Sequence, residues 1–350
     1  MLAHIGRDCV GALQLLPEGE EADVRTINAT PVTDDEIADV LRSYKTMPLG
    51  IAPEADFRIS LAGAQEKTAF LFLNNRWHRP HGATPTSHIF KLPIGELGQS
   101  GIDLSESIEN EWLCHRIIDS YGLPVAQVRM ESFAGRKALV VARFDRRWSS
   151  DSSWLIRLPQ EDMCQASGIS GNLKYESEGG PGMTRIMDIL LGSLESHSDR
   201  IVFMKAQLVF WMLGAIDGHA KNFSIFHLAG PTYRLTPLYD VISVYPIVAA
   251  NQLDRQRVRM AMAVLGRNRH YRWDMISRRH WLETAGKCRF AAEDMESIIE
   301  ECCERTKSVV EEVGNLLPPL FPSGIAEAIF GGLVAARDRL LRNSSSLRGV

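Results

Sequence analysis

The apolar positions follow a strand-like pattern over the first hundred residues and a helix-like pattern from Gln160 onward. Short segments in the first part alternate apolar and polar residues or are apolar throughout, which is typical of half-buried and buried strands. One apolar run stops at Asn74–Asn75, a pair that favours a tight hairpin turn. The strands predicted in this way are Phe57–Leu61, Thr68–Leu73, Ser87–Leu92, Val125–Met130 and Ala138–Phe144.

Three segments have the spacing of helices. A helix is predicted from an N-cap at Ser105 to Gly122, because a serine favours the start and a glycine the end. Phe203–Ile216 is apolar nearly all round, which predicts a buried central helix. Residues 293–313 are amphipathic and predict a helix with one buried face.

This change of pattern predicts an α+β protein with two parts. We expect a β-rich N-lobe over residues 1–147 and a helical C-lobe over residues 148–342, with a flexible tail at 343–350. The boundary is placed in the polar segment Arg146–Ser153, which is typical of a loop.

Composition excludes several classes of protein. The 350 residues are 45% hydrophobic and 23% charged with a net charge of −4, so neither a disordered chain nor a globally basic nucleic-acid binder is indicated. The six cysteines form no Cys-x-x-Cys pair, and reduced thiols in a cytoplasmic protein are expected. The longest apolar run, Leu208–Ile216, has nine residues, which is too short for a membrane span.

The segment Asp217–Asn222 carries the clearest chemical signal. An Asp followed five residues later by an Asn, directly after a buried helix, is how kinases build a catalytic loop. The Asp accepts the proton of the attacking hydroxyl and the Asn holds magnesium, while His219 and Lys221 between them neutralise charge. Asp240 follows a short apolar stretch and takes the place of a second magnesium ligand.

Two upstream features complete the kinase order. Lys91 lies in a predicted strand, where a kinase keeps the lysine that binds the ATP phosphates. Ser60–Lys67 is a small-residue loop between strands, suited to backbone contacts with phosphate. Each feature alone has an ordinary structural explanation, but their order and spacing together favour a kinase.

Longer motifs occur along the chain at Ser60–Thr68, His88–Gly95, Arg143–Arg147, Arg157–Gln165, Lys174–Gly182, Asp217–Phe223 and Leu235–Asp240. On these motifs the chain resembles the HipA family of serine/threonine-kinase toxins from bacterial toxin–antitoxin modules. The resemblance implies a bilobal protein-kinase-like fold, akin to phosphoinositide-3-kinase-like enzymes, that uses ATP and Mg²⁺.

Roles follow from the resemblance at the matching positions. Asp217 is implied as the catalytic base, Asn222 and Asp240 as the magnesium ligands, and Ser60 as an autophosphorylated serine whose modification switches the kinase off. Arg143 and Phe144 fall at the adenine hinge. The residues implied to contact ATP are Ala62, Gly63, Ala64, Gln65, Glu66, Lys67, Lys91, Arg143, Phe144, His219, Lys221, Asn222, Tyr239 and Asp240.

The resemblance also implies partners. These are a helix-turn-helix antitoxin (HipB-like) that links the protein to operator DNA, and a protein substrate such as an aminoacyl-tRNA synthetase, the glutamyl enzyme first among them. Full-length members carry a further N-terminal subdomain, so we expect either a truncated reading frame or a separate small protein that supplies the missing piece. Ala142 stands at the hinge where related sequences carry Glu, a change that a backbone contact to adenine would survive.

Other interpretations remain open. A truncated, weakly active chain would act as a DNA-bound co-repressor with its antitoxin. A small-molecule or lipid kinase would use the same sequence motif in the loop Asp217–Asn222. The arginines between 255 and 279 are either a solvated face or a contact to phosphate backbone, with Arg278 and Arg279 as the candidates.

Three further segments have predicted roles. Gln160–Gln165 is predicted to be a helix N-terminus, and Lys174–Gly182 a flexible loop near the cleft with a role in substrate docking. Glu111 is a candidate partner of Lys91.

Overall fold

The computed structural model describes residues 7–16, 18–19, 21–44, 65, 67–97 and 101–342. Its strands are β1 (Ala29–Pro31), β2 (Lys67–Leu73), β3 (Arg76–Pro80), β4 (His88–Lys91), β5 (Gly95–Leu97), β6 (Ile102–Leu104), β7 (Val128–Phe133), β8 (Arg136–Ala142), β9 (Arg146–Trp148), β10 (Leu155–Arg157), β11 (Gln160–Asp162), β12 (Ser224–His227), β13 (Tyr233–Leu235), β14 (Arg259–Leu265) and β15 (Arg269–Arg272). Its helices are α1 (Asp34–Tyr44), α2 (Ser107–Ser120), α3 (Met163–Ala166), α4 (Met183–Leu190), α5 (Ser196–Leu213), α6 (Tyr245–Ala249), α7 (Arg278–Lys287), α8 (Ala292–Gly314) and α9 (Ser323–Arg342).

The chain forms two compact units that are both discontinuous in sequence. The first comprises Met1–Ile94 and Ala126–Glu161, and the second comprises Gly95–Val125 and Asp162–Val350. The sequence predicts a single boundary between residues 147 and 148, a position that lies in the hairpin β9–β10 of the first unit. The polar segment predicted as a linker is this hairpin, in which Leu155 pairs with Trp148.

A six-stranded sheet with the order β1-β3-β2-β4-β8-β7 forms the first unit. The predicted hairpin at Asn74–Asn75 is confirmed, and both residues have positive φ (51° and 60°), the conformation of a type I′ turn. The prediction for Phe57–Leu61 lies outside the described residues. Helix α1 packs on the sheet through Ile37 and Leu41, both nearly inaccessible to solvent.

Aromatic side chains fill the space between α1 and the sheet. The ring of Trp77 lies 4.8 Å from that of Phe90 and 6.4 Å from that of Phe133, each in an edge-to-face arrangement. Such pairs stabilise beyond their buried area by about 0.5–1.5 kcal/mol each. The sheet is therefore a rigid platform for the residues that its strands carry.

Helices dominate the second unit. The predicted buried helix is confirmed as α5, whose residues from Phe203 to Leu213 are all buried. It ends at Leu213 rather than at Ile216, because Gly214 takes the left-handed conformation (φ 62°) that terminates helices. The predicted amphipathic helix is confirmed as α8, with Ile298 and Val313 among its buried residues.

The start of α2 differs from the prediction. Ser105 is not its N-cap: that position belongs to Glu106, which makes no side-chain capping bond. The backbone N–H of Ser105 instead donates to Asp103 Oδ1 at 2.8 Å, which closes a turn before the helix. The predicted buried positions Ile108 and Trp112 are confirmed.

Candidate active site

The turn at Gly214 leads the chain from α5 into the loop Asp217–Asn222. The backbone N–H of Ala215 donates to Phe210 O at 2.8 Å, and that of Asn222 donates to His219 O at 2.9 Å, so the loop is held at both ends. Within it the side chain of Asp217 is 62% exposed, whereas that of His219 is 7% exposed. The loop thus presents one accessible carboxylate among residues that are buried or half-buried.

The amide of Asn222 links the two candidate acidic residues. Its Nδ2 donates to the backbone carbonyl of Asp217 at 3.1 Å and to that of Asp240 at 3.3 Å. Because the nitrogen is occupied in this way, Oδ1 is the end of the amide that is left to act as an acceptor or metal ligand. Asp240 has φ 61°, a conformation that costs energy for a residue other than glycine and is typical of functional sites.

Asp217 and Asp240 line a small cleft in the second unit. Its empty volume is about 310 Å³, and Asp217 and Asp240 are the acidic residues at its wall. The remaining lining residues are Phe210, Ala215, Gly218, Val241 and Ile242. Gly218 is needed there, because a Cβ at this position would lie 2.8 Å from the Phe210 ring.

The oxygen donors suit a magnesium ion. No three His, Cys, Asp or Glu side chains cluster at metal-binding distance among the described residues. Mg²⁺ does not require such a cluster, since it is held by one or two protein oxygens together with water and substrate phosphates. The Oδ1 of Asn222 and the carboxylate of Asp240 are hard oxygen ligands of that kind, so the residues fit the predicted ion.

His219 has one nitrogen near the acidic residue and one without a partner. Its Nε2 lies 3.9 Å from Asp217 Oδ2, and its buried Nδ1 has no hydrogen-bond partner in the described part of the chain. Burial is the largest effect and lowers the pKa of His219; Asp217 opposes this, and Lys174 adds to it. An unsatisfied polar atom at this depth is expected to meet a ligand or water.

Tyr239 and Lys221 border the loop. The phenol of Tyr239 donates to the backbone carbonyl of Lys221 at 2.7 Å and also contacts the hydroxyl of Ser224. The second unit therefore brings together the predicted residues Asp217, His219, Lys221, Asn222, Tyr239 and Asp240.

The other predicted nucleotide contacts belong to the first unit. Lys91 is buried at the end of β4, where its register partners are Lys67 on β2 and Leu139 on β8. Two cations thus occupy directly opposite positions on neighbouring strands. Gln65 donates through Nε2 to Leu92 O at 2.5 Å. The predicted residues Ser60, Ala62, Gly63, Ala64 and Glu66 lie outside the described residues.

Arg143, a predicted nucleotide contact, is engaged by other protein groups of the first unit. Its side chain is 1% exposed and forms ion pairs with Asp8 at 2.9 Å and with Asp145 at 2.8 Å. Its backbone N–H is also engaged, since it donates to Ser87 O at 2.9 Å. Arg143 is therefore part of the framework, while the neighbouring Phe144 is half-buried.

The candidate DNA contacts also differ from each other. Arg278 is buried and its guanidinium pairs with Glu296 and, at 3.7 Å, with Glu300 of α8, so its charge is already balanced inside the protein. Arg279 is exposed. Of the two, Arg279 alone presents its charge to solvent.

Tyr175 is a site residue that sequence reasoning missed. Its phenol donates to Asp217 Oδ1 at 2.7 Å, although the motif Lys174–Gly182 had suggested only a docking loop. Within that segment Glu176–Glu178 forms a short 3₁₀ turn. The polar sequence Lys174–Glu176 before a glycine-rich stretch was the only local feature that could have pointed to this contact.

Taken together, a strand with a buried lysine and a helical unit with an Asp-x4-Asn loop define a kinase-like α+β protein. The chain belongs to the family of HipA-like C-terminal domains, whose model matches residues 59–310. This confirms the family that the sequence motifs resemble.

Curated relatives carry kinase names. The chain is 34% identical over 271 residues to "Putative kinase Y4mE" of Sinorhizobium fredii, covering 75% of this chain and 62% of that protein. It is 28% identical over 256 residues to "Serine/threonine-protein kinase toxin HipA" of Shewanella oneidensis, covering 70% of this chain and 56% of that protein. The matched region thus spans less than two thirds of the length of either relative.

A solved structure matches the whole chain. It is the Shewanella oneidensis toxin–antitoxin complex of HipA, HipB and operator DNA, with a TM-score of 0.82 and 23% identity, covering 100% of this chain and 80% of that one. This likeness confirms the predicted kinase-like α+β fold. In the part of the chain that the structure describes, no helix has the length and apolar character needed to cross a membrane.

Proposed function

We propose that this protein is a serine/threonine-protein kinase that transfers the γ-phosphoryl group of ATP to a protein serine. The observation that carries the proposal is the amide of Asn222, which donates to the backbone of both Asp217 and Asp240. The side chain of Asn222 thereby links Asp217, which carries the accessible carboxylate, to Asp240, the other acidic residue of the cleft. Phosphoryl transfer depends mainly on such positioning and on charge stabilisation.

Each residue has a defined task in this proposal. The exposed carboxylate of Asp217 accepts the proton of the serine hydroxyl as that oxygen attacks. Asn222 Oδ1 and Asp240 would hold magnesium, and bound Mg²⁺ would neutralise charge on the γ-phosphoryl group that ATP supplies. His219, whose buried Nδ1 has no partner among the described residues, is available to contact phosphate.

We propose further nucleotide contacts for residues of the first unit. Lys91 and Lys67 occupy opposite positions on adjacent strands and attract the phosphates. The segment from Ala62 to Lys67 is proposed to wrap the triphosphate. Phosphorylation of Ser60 beside it would introduce a dianion that repels the triphosphate and switches the enzyme off.

Partners are proposed from the relatives. A helix-turn-helix antitoxin would bind this chain and carry it to operator DNA, since the matched Shewanella structure is a complex of HipA, HipB and operator DNA. The substrate is proposed to be an aminoacyl-tRNA synthetase, with the glutamyl enzyme first. A separate small N-subdomain protein, which the resemblance to the HipA family implies, is a further proposed partner.

The test is transfer of label from γ-labelled ATP with magnesium. Four proteins are compared: wild type, Asp217→Asn, Ser60→Ala and the control Asp35→Asn, which makes the same chemical change at an exposed position of α1. We expect label on wild type and on Asp35→Asn, and none on Asp217→Asn. Loss in Ser60→Ala as well identifies Ser60 as the self-modified residue.

Equal labelling of Asp217→Asn and wild type, or no ATP binding by wild type, would overturn the proposal. The exposed Arg279 favours a second candidate, a DNA-bound co-repressor without kinase activity. That function predicts operator binding with an antitoxin by a wild-type chain that carries no label under any condition.

A further inference from the structure

Three consecutive residues, Lys174 to Glu176, join the catalytic loop to the hairpin β14–β15. The backbone carbonyl of Lys174 accepts from Ala220 N–H at 3.3 Å, inside the loop. Glu176 accepts from Ala263 N–H of β14 at 2.6 Å and pairs with Arg269 of β15 at 3.3 Å. Tyr175 lies between these two anchors, so its backbone position is determined on both sides.

The glycines that follow allow this arrangement. A Cβ at Gly182 would lie 2.3–2.7 Å from the carboxylate of Glu176, and one at Gly180 would lie 2.1 Å from Leu173 O. Both distances are far below van der Waals contact, so no larger residue fits without displacing the anchor. The chain therefore folds back tightly enough to keep the Glu176 carboxylate in place.

The ring of Tyr175 is packed as well as hydrogen-bonded. It lies edge-to-face against His219 with centroids 5.3 Å apart, and Lys174 Nζ lies 4.9 Å from its centroid. Its phenol donates to Asp217 Oδ1 at 2.7 Å. Burial, followed by the hydrogen bond to Asp217, raises the pKa of Tyr175, so the phenol keeps its proton under ordinary assay conditions.

We propose that Tyr175 is a positioning residue for phosphoryl transfer, which holds Asp217 through Oδ1 and leaves Oδ2 to accept the substrate proton. This inference rests on the proposed role of Asp217 as the base. A carboxylate on an exposed loop samples several rotamers, and a fixed donor to one oxygen restricts it to a single one. Holding Asp217 in this way should raise the rate of phosphoryl transfer rather than the affinity for nucleotide.

The kinetic test compares Tyr175→Phe with Tyr233→Phe. Both variants remove one phenol oxygen, and Tyr233 donates to Ile189 O, outside the catalytic loop. We expect Tyr175→Phe to lower kcat about tenfold or more, the effect of losing a hydrogen bond to a charged group, with the KM for Mg-ATP within about twofold. Tyr233→Phe should leave both constants near those of wild type.

Two results would overturn the inference. A kcat of Tyr175→Phe equal to that of wild type would contradict the positioning role. A higher kcat would show instead that the phenol competes with substrate for Asp217. Inactivity of wild type, in contrast, would overturn the proposed function itself, so the two failures are distinguishable.

A second measurement does not depend on catalysis. Unfolding midpoints of Tyr175→Phe, Asp217→Ala and the double variant form a double-mutant cycle. If the contact exists in solution, the double variant loses less than the sum of the two single losses. Additive losses would contradict the contact and with it the inference.

Discussion

The guanidinium of Arg143 and the carboxylate of Asp8 form an ion pair of 2.9 Å in which both side chains are at least nine-tenths buried. Asp8 also pairs with Arg146 at 2.9 Å and lies 3.5 Å from Arg157 Nη2. The segment around Asp8 is thereby attached to the hairpin β9–β10, which lies late in the sequence of the first unit. The interior of this unit therefore contains an ionic cluster around Asp8 as well as the aromatic cluster around Trp77.

Removal of the Asp8 charge should destabilise the protein strongly. In Asp8→Asn the arginines Arg143 and Arg146 keep only the carboxylate of Asp145, and Arg157 loses its ion pair. Loss of one partner of a buried pair costs about 3–5 kcal/mol. Urea unfolding measures the change. Asp35→Asn, at an exposed position, should leave the free energy of unfolding within about 0.5 kcal/mol. A change of that small size in Asp8→Asn would contradict a stabilising role for the cluster.

The same cluster predicts a pH dependence of stability. Burial by itself raises the pKa of Asp8, but the charges of Arg143, Arg146 and Arg157 outweigh it and lower the pKa below its ordinary value of 3.8. A carboxyl group whose pKa is lower in the folded state stabilises it above the unfolded pKa and loses this contribution as the pH falls further. The free energy of unfolding should therefore decline below about pH 4. The decline should be shallower in Asp8→Asn, which lacks this titrating group; equal slopes would contradict the assignment.

Asn222→Ala tests the bridge between Asp217 and Asp240. It removes both amide hydrogen bonds and a proposed magnesium ligand, and changes around metal ligands typically weaken metal affinity by about 10–100-fold. The activity should recover partly as the magnesium concentration is raised. Asn315→Ala, at the exposed end of α8, is the matched control and should keep the wild-type magnesium dependence. A magnesium dependence of Asn222→Ala that is unchanged would show that the amide holds no metal.

Gly214→Ala should unfold more readily and misplace the catalytic loop. The position has φ 62°, and a Cβ there would lie 3.3 Å from the Tyr245 ring, so we expect a loss of about 1–2 kcal/mol. Gly286→Ala is the control, because Gly286 lies inside α7 with no atom within 4 Å of the added carbon. Alanine in a helix should stabilise it by about 0.5–1 kcal/mol. Thermal unfolding that moves in opposite directions for the two variants would confirm the prediction.

Arg278 and Arg279 are neighbours with different expected effects. Arg278→Ala leaves Glu296 and Glu300 without their cation, and because both carboxylates are partly solvated we expect a loss of only about 1–2 kcal/mol. Arg279→Ala should leave stability unchanged. In a complex with an antitoxin and operator DNA, measured across salt concentrations, Arg279→Ala should weaken binding and reduce the salt slope if the residue contacts phosphate. An unchanged slope would exclude that contact.

The sequence predicted those elements whose signals are local, which are β2, β4, β7 and β8 in the sheet and the helices α2, α5 and α8. The Asn74–Asn75 turn, the buried face of α8 and the apolar helix α5 are all encoded within a few neighbouring residues. The order of Asp217, Asn222 and Asp240 along the chain likewise pointed to one site, and the structure brings these residues together.

Contacts between distant segments account for what the sequence did not predict. The ion pair of Arg143 with Asp8 was not predicted, because the two residues lie 135 positions apart and a buried ion pair at such a separation leaves no periodic trace. Tyr175 contacts Asp217 across 42 residues for the same reason. The end of α5 was misjudged because the apolar run continues past Gly214, and only the backbone conformation shows where the helix stops.

The discontinuity of the two units has a consequence for the order in which the chain acquires its structure during synthesis. Helix α2 leaves the ribosome before α8 and α9, yet its Trp112 packs 5.7 Å from Phe321 and Tyr121 bonds to Thr306 at 2.9 Å. Until about two hundred further residues have been translated, which at 5–20 residues per second takes roughly 10–40 seconds, the apolar side of this helix has none of these partners. The sheet, in contrast, has all its strands once β8 has emerged. Newly made chains should therefore pass through a stage with a finished sheet and an exposed helix, and that stage is where a chaperone would be expected to act.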